Sequence, residues 1–117
     1  MELGVDFDES DLVPVVVVRG ELDFGTAPRL RDVLVRRAMD GGQHVVVDLS
    51  AVEFLDSTGL GVLVGALKRY RTFGGDLYLV VTTERIRAVF ELTGLTAAFT
   101  VYDDRATAVA EAAAAKP

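Results

Sequence analysis

Val45-Val46-Val47-Asp48-Leu49-Ser50, followed closely by Phe54-Leu55-Asp56-Ser57-Thr58-Gly59-Leu60-Gly61, decides how this chain folds. Val45 to Val47 with Leu49 form a β-branched apolar run of the kind found in a buried strand. From Ser57 to Arg71 the period changes. Leu60, Leu63, Val64 and Leu67 fall on one helical face, while Lys68, Arg69 and Arg71 lie elsewhere as a solvated basic cluster. A buried strand that feeds an amphipathic helix is half of a βαβ unit, which implies a parallel sheet.

Working back toward the N-terminus, Thr26 is placed to cap a helix that has Pro28 in its first turn. Leu30, Val33, Leu34 and Ala38 form the apolar stripe of that helix, and Gly41-Gly42 ends it. Before it, Val13 to Val18 read as a strand covered on both faces, with Pro14 tolerable near its start, and Gly20-Glu21-Leu22-Asp23 leaves the sheet. Leu3, Val5 and Phe7 alternate with polar residues, so the first strand has one wet face. The short polar turn Glu9-Ser10-Asp11 makes the pair an antiparallel hairpin.

Toward the C-terminus, Gly74-Gly75 turns the chain into a strand from Leu77 to Val81. Thr82 or Thr83 caps a short helix carrying Ile86, Val89 and Phe90, which Gly94 closes. Phe99 to Tyr102 is a last short strand, and Asp103 or Asp104 caps an alanine-rich helix. The order β β α β α β α β α predicts one α/β domain. Its mixed sheet has about five strands, an N-terminal hairpin and then parallel βα units, with about four helices. Residues 1–112 are expected to form the domain, with 113–117 as a frayed tail.

Composition narrows the chemistry. The chain has 117 residues, half of them hydrophobic, which suits one globular domain. With no cysteine and a single histidine, His44, disulfides, zinc-thiolate sites, cysteine nucleophiles and multi-histidine metal cages are excluded. The net charge of −6 argues against gripping a phosphate backbone, so no nucleic-acid partner is expected. The N-terminus is acidic where a secretory signal would be basic. The uncharged stretch from Ser57 to Leu67 is only eleven residues and carries three glycines, too short to span a bilayer. A soluble, cytoplasmic chain without membrane insertion is the expectation.

Enzyme readings find little support. Gly59, Gly61 and Gly65 have the wrong spacing for a dinucleotide loop and lie inside a helix, where they are expected to allow close packing on a sheet or a partner. No phosphate-binding P-loop is present, and no cofactor is expected. A serine hydrolase would require Ser57 and His44 in register with an acid, yet no glycine stands two residues before Ser57. His44 reads as a half-exposed structural residue at a strand edge. Asp23 and Asp56 are a candidate acid–base pair that nothing ties to a substrate. No catalytic or metal-binding residue is assigned.

Glu53 to Gly61 remains the most informative segment. A purely structural account makes Asp56 or Ser57 the N-cap of the helix, with Gly59 relieving crowding. The functional account is an exposed hydroxyl that a kinase can reach, since a helix N-terminus stabilises added negative charge. Asp23 and Asp56 both follow the carboxyl ends of parallel strands, so two acids and a serine are expected on one rim.

These landmarks resemble those of the bacterial anti-sigma factor antagonists, a STAS-domain family. They comprise Gly20-Glu21-Leu22-Asp23 with Thr26-Ala27, Val45 to Ser50, Phe54 to Gly61, Gly74-Gly75, and Leu92-Thr93-Gly94-Leu95. The resemblance implies partner switching. The unphosphorylated protein would bind an anti-sigma factor that is also an ATP-dependent serine kinase, freeing a sigma factor. The kinase, which carries the ATP and magnesium, would then phosphorylate Ser57 and end the complex, and a serine phosphatase would restore it. The match of Asp-Ser-Thr to the family's Asp-Ser-Ser favours Ser57 over Thr58 as acceptor. Asp23, Asp56, Thr58 and Gly59 would belong to the partner-binding surface. The alternative is a STAS scaffold or regulatory subunit, as in a stressosome-like or lipid-transport complex.

Overall fold

The computed structural model describes residues 3–8, 12–39 and 43–115. The expected turn at Glu9–Asp11, the helix stop at Gly41-Gly42, and Lys116 and Pro117 of the expected tail lie outside the described residues. The elements are β1 (Leu3–Asp8), β2 (Val15–Leu22), α1 (Ala27–Met39), β3 (His44–Leu55), α2 (Ser57–Thr72), β4 (Asp76–Val80), α3 (Glu84–Leu92), a 3-10 turn (Leu95–Ala97), β5 (Thr100–Tyr102) and α4 (Arg105–Ala114).

The sheet order is β1-β2-β3-β4-β5, so each strand lies beside its neighbour in sequence. Only the β1–β2 pair is antiparallel, and the other three pairs are parallel. The mixed sheet, the N-terminal hairpin and the four helices are as the sequence predicts.

Both faces of the central strands are apolar because both are covered. Val16 and Val18 of β2 and Val45, Val47 and Leu49 of β3 join one large core with Leu30 and Leu34 of α1, Leu60, Leu63 and Leu67 of α2, and Ile86 and Phe90 of α3. Val15 and Val46 join a smaller core on the other face, closed by Ala108, Val109 and Ala112 of α4. The alanines of α4 let that helix lie close to the sheet. They also limit the apolar area it buries, at roughly 25 cal/mol per Å².

Three local expectations change. The sequence ends the third strand at Leu49, because the alternation of apolar residues stops there. The strand instead runs on to Leu55, and its pairing with β2 shifts between Val17 and Arg19 and again between Gly20 and Glu21. Each shift inserts one residue into β3, so the inward side chains Leu49, Val52 and Leu55 are three apart rather than two. Asp48, just before the first shift, is buried, and its carboxylate accepts a hydrogen bond from the Ser50 N–H at 2.9 Å.

His44 is buried rather than half-exposed, because β3 is a central strand and not an edge. Its Nδ1 lies 3.2 Å from the Tyr78 hydroxyl. The basic cluster on α2, Lys68, Arg69 and Arg71, is exposed as expected, but one of the three is more than solvated charge. Arg71 is a strut. Its Nε is 3.1 Å from the Asp76 carboxylate, and it donates to the Ala98 carbonyl at 3.1 Å.

The α1–α2 contact is fixed by Tyr70, whose buried hydroxyl donates to the Leu34 carbonyl at 3.0 Å. Burial pushes the Tyr70 phenol up to about 12, against a smaller opposing pull from Arg37. A raised folded value means that the protonated phenol adds stability below the unfolded value near 10, and that this is lost as pH climbs toward 12. Tyr70→Phe should therefore cost about 0.5–1.5 kcal/mol at neutral pH. In thermal melts followed by circular dichroism from pH 8 to 11.5, the gap between wild type and Tyr70→Phe should narrow above pH ~10. A gap that stays constant across that window would contradict the assignment.

Candidate functional site

Because β2 and β3 run parallel, their carboxyl ends emerge side by side. The loop Asp23–Thr26 and the start of α2 therefore meet on one rim. Asp56 joins them. It is the N-cap of α2 in extended conformation, and its Oδ1 accepts from the N–H groups of Thr58 at 2.9 Å and Gly59 at 3.0 Å. Its Oδ2 accepts from the Phe24 N–H at 3.2 Å, across 32 residues of sequence. Its own N–H donates to the Leu22 carbonyl at 3.2 Å. Of the two cap candidates read from sequence, Asp56 fills the role, and it also ties the helix to the neighbouring loop.

Asp23 is engaged within that loop. Its Oδ1 accepts from the N–H groups of Gly25 at 3.0 Å and Thr26 at 3.1 Å. Thr26 sits immediately before α1 as expected, but its hydroxyl turns back instead of capping the first turn. It accepts from the Asp23 N–H at 2.9 Å and donates to the Glu21 carbonyl at 2.7 Å. Short polar side chains that hydrogen-bond their own backbone hold such turns. Thr83 precedes α3 without a side-chain cap bond, whereas Asp104 caps α4 through the Thr107 N–H at 2.8 Å. That bond and the Thr107 hydroxyl hold the Asp104 carboxyl below its ordinary value.

Ser57 is the first residue of α2 and is exposed, while Thr58 is half-buried and Gly59 buried. The sequence thus brings Asp23, Asp56, Ser57, Thr58 and Gly59 to one rim. Gly59 is there because nothing larger fits. A Cβ would stand 2.7 Å from Leu55 Cδ1, 2.8 Å from Leu22 Cγ and 2.9 Å from the Leu22 carbonyl oxygen. Of the three helical glycines, expected to allow close packing on a sheet or a partner, only this one packs on the sheet. Gly61 and Gly65 meet nothing within 4 Å and face outward.

Sequence reasoning missed Phe24. It is 80% exposed, and its backbone is pinned by Asp56. A phenylalanine inside the turn sequence Asp23-Phe24-Gly25-Thr26, outside any apolar periodicity, was the available signal. Phe54, at the end of β3, is 48% exposed and adds apolar surface close to the N-terminus of α2.

A five-stranded sheet with three helices on one face and one on the other, and an aspartate-capped helix opening with an exposed serine on the rim where the parallel strands end, defines a STAS fold. The STAS domain profile matches residues 5–108, and the chain belongs to the STAS domain family. It is 40% identical over 95 residues to the anti-sigma-B factor antagonist of Staphylococcus aureus, a match spanning 81% of this chain and 88% of that protein. To the anti-sigma-B factor antagonist of Staphylococcus epidermidis it is 41% identical over 95 residues, with the same coverage of 81% and 88%. The crystal structure of an anti-sigma factor antagonist from Mycobacterium paratuberculosis superposes with a TM-score of 0.87 at 32% identity. That superposition covers 95% of this chain and 94% of the other. These relatives are named as regulators rather than catalysts. Among the described residues no helix is long and apolar enough to cross a membrane.

The glycines give a direct test of the rim's packing. Gly59→Ala should lose about 1–3 kcal/mol, because the Leu22 backbone has to move. Gly61→Ala and Gly65→Ala, which meet open space, should gain up to about 1 kcal/mol from helix propensity. Urea unfolding of the three variants checks the contrast, and equal effects at all three positions would refute it.

Proposed function

We propose that this chain is an anti-sigma factor antagonist that works by partner switching in the cytoplasm and is not itself an enzyme. Unphosphorylated, it binds an anti-sigma factor that is also a serine kinase and so frees a sigma factor. The kinase, carrying ATP and magnesium, phosphorylates Ser57 and the complex separates; a serine phosphatase resets the cycle. Residues 1–112 are the working unit. The names and extent of the relatives support this reading. The observation that carries it is an exposed serine hydroxyl on the first residue of α2, beside the Asp56 cap. The half-burial of Thr58 supports Ser57 as the acceptor.

The energetics fit a release signal. A phosphoserine adds about −1.5 to −2 charges. At its own helix N-terminus this charge is favourable by roughly 0.3–2 kcal/mol, so the fold persists. At a packed interface an unmatched charge costs roughly 2–5 kcal/mol, a loss of about 30- to 4000-fold in affinity. The docking surface centres on Asp23, Asp56 and Thr58, with the exposed ring of Phe24 as an apolar anchor; Gly59, buried against Leu22 and Leu55, serves it from beneath by holding the start of α2 on the sheet.

Incubation with the cognate kinase and ATP, followed by peptide mass spectrometry, should place phosphate on Ser57, and Ser57→Ala should stay unlabelled. Ser57→Asp should melt near wild type yet bind the kinase more weakly than Ser57→Ala does. Label on Thr58, or equal binding by the two variants, would refute the assignment.

Asp23→Asn keeps the Oδ1 that holds Gly25 and Thr26 and removes only the charge. This variant should melt close to wild type while losing kinase affinity, phosphorylation rate, or both. Unchanged binding and phosphorylation would reduce Asp23 to a turn residue.

A further inference from the structure

The outer surface of α1 and α2 carries a feature that neither helix needs for folding. A groove of about 420 Å³ runs between them, with Gly61, Val62, Gly65 and Ala66 on the α2 side and Val35 on the α1 side. It begins at Thr58, the residue after Ser57, and is walled by Arg31 and Arg69. A second hollow of about 420 Å³ continues it past Arg36 to Met39, which is 75% exposed. Gly61 and Gly65 leave its floor at backbone level, because no side chain rises there and none of their neighbours fills the space.

Its charge is opposite to that of the molecule. The chain carries −6, yet Arg31, Arg36, Lys68 and Arg69 line this groove and its extensions, with Asp32 the single acid among the lining residues. Asp32 is 3.3 Å from Arg31, an exposed pair of little energetic weight. Arg36, Lys68 and Arg69 form no ion pair with any described residue. The cations stand on both walls and along the length of the groove. A single-headed lipid presents its charge at one end, whereas a helix with an apolar stripe flanked by acids presents it along both sides. From Gly61 to Arg69 is eight residues, about 12 Å of helix, so the occupant needs about two turns.

We propose that this groove docks an acidic amphipathic helix of the anti-sigma factor, continuous with the rim around Ser57. The inference rests on the partner-switching reading. It adds a second contact, one that phosphorylation does not touch directly and that selects a partner by charge. Apolar residues of the incoming helix lie on the glycine floor, and its acids meet Arg31 on one wall and Arg69 on the other.

The absence of cysteine makes a clean test possible. Gly65→Cys labelled with benzophenone maleimide is photolysed in complex with the anti-sigma factor from the same genome, and the cross-link is mapped by peptide mass spectrometry. Affinities of Gly61→Leu/Gly65→Leu and Arg31→Glu/Arg69→Glu are measured by calorimetry at low and high salt, with melting temperatures as the control for folding. The expected result is a cross-link to an acidic helical segment. Binding should be weaker by about tenfold or more in both double variants, with a flatter salt dependence in the charge-reversed one. If wild type binds and Ser57→Asp does not, while both folded groove variants bind like wild type, the groove proposal falls and the rim stands. If wild type fails to bind the anti-sigma factor at all, the docking reading falls and takes the groove with it. A cross-link to a second copy of this chain overturns the proposal. So does loss of binding to phosphatidylglycerol vesicles with undiminished binding to the anti-sigma factor.

Discussion

The Asp56 carboxylate is the junction on which the rim depends. One oxygen satisfies two orphan N–H groups at the start of α2, and the other reaches the Phe24 N–H in the preceding crossover loop. A helix N-terminus leaves several donors without partners, and an extended residue with a short acidic side chain is a common answer. Here the same side chain also registers two crossovers against each other. Its reach depends on the closeness of β2 and β3 at Leu22 and Leu55, which in turn requires Gly59 to lie against both of those residues. Cap, glycine and loop are therefore one assembly, and Ser57 stands at its exposed corner.

That arrangement is compatible with the proposed change of partners without a change of fold. The hydroxyl of Ser57 projects from the first turn, while the groups that stabilise the turn belong to its neighbours. Under the proposed phosphorylation, added charge at that position would meet the positive end of a helix from within the molecule. The core lies on the far side of α2, where Leu60, Leu63 and Leu67 are buried against the sheet. The exposed serine and the folding core thereby lie on the two faces of one helix.

The outer face of α2 is a different kind of surface. Lys68 and Arg69 look like solvated charge in the sequence, and Gly61 and Gly65 look like packing glycines. Only with α1 set alongside do they become one groove, because Arg31 and Val35 come from a helix about thirty residues earlier. The same basic cluster divides in the fold. Arg71 bridges Asp76 and the Ala98 carbonyl across the surface, and Arg69 turns to the groove.

The β-branched runs, the helical stripes and the glycine turns are local signals, and they were enough to determine the element order, the parallel sheet and a common rim for Asp23, Asp56 and Ser57. Each of these follows from periodicity and from the rule that consecutive parallel strands end on one side of the sheet. The full length of β3 was not legible, because two inserted residues shift its inward side chains to a spacing of three, which matches no strand template. The burial of His44 was not legible either, since a polar residue at a strand's start is covered or bare according to which strands flank it and where α4 lies. Asp56 was readable as a cap, but its bond to Phe24 spans two crossovers and depends on strand register. A sequence carries the periods of its own elements. Which side chains meet between elements is decided by register and helix placement, and those are set only when the whole core packs.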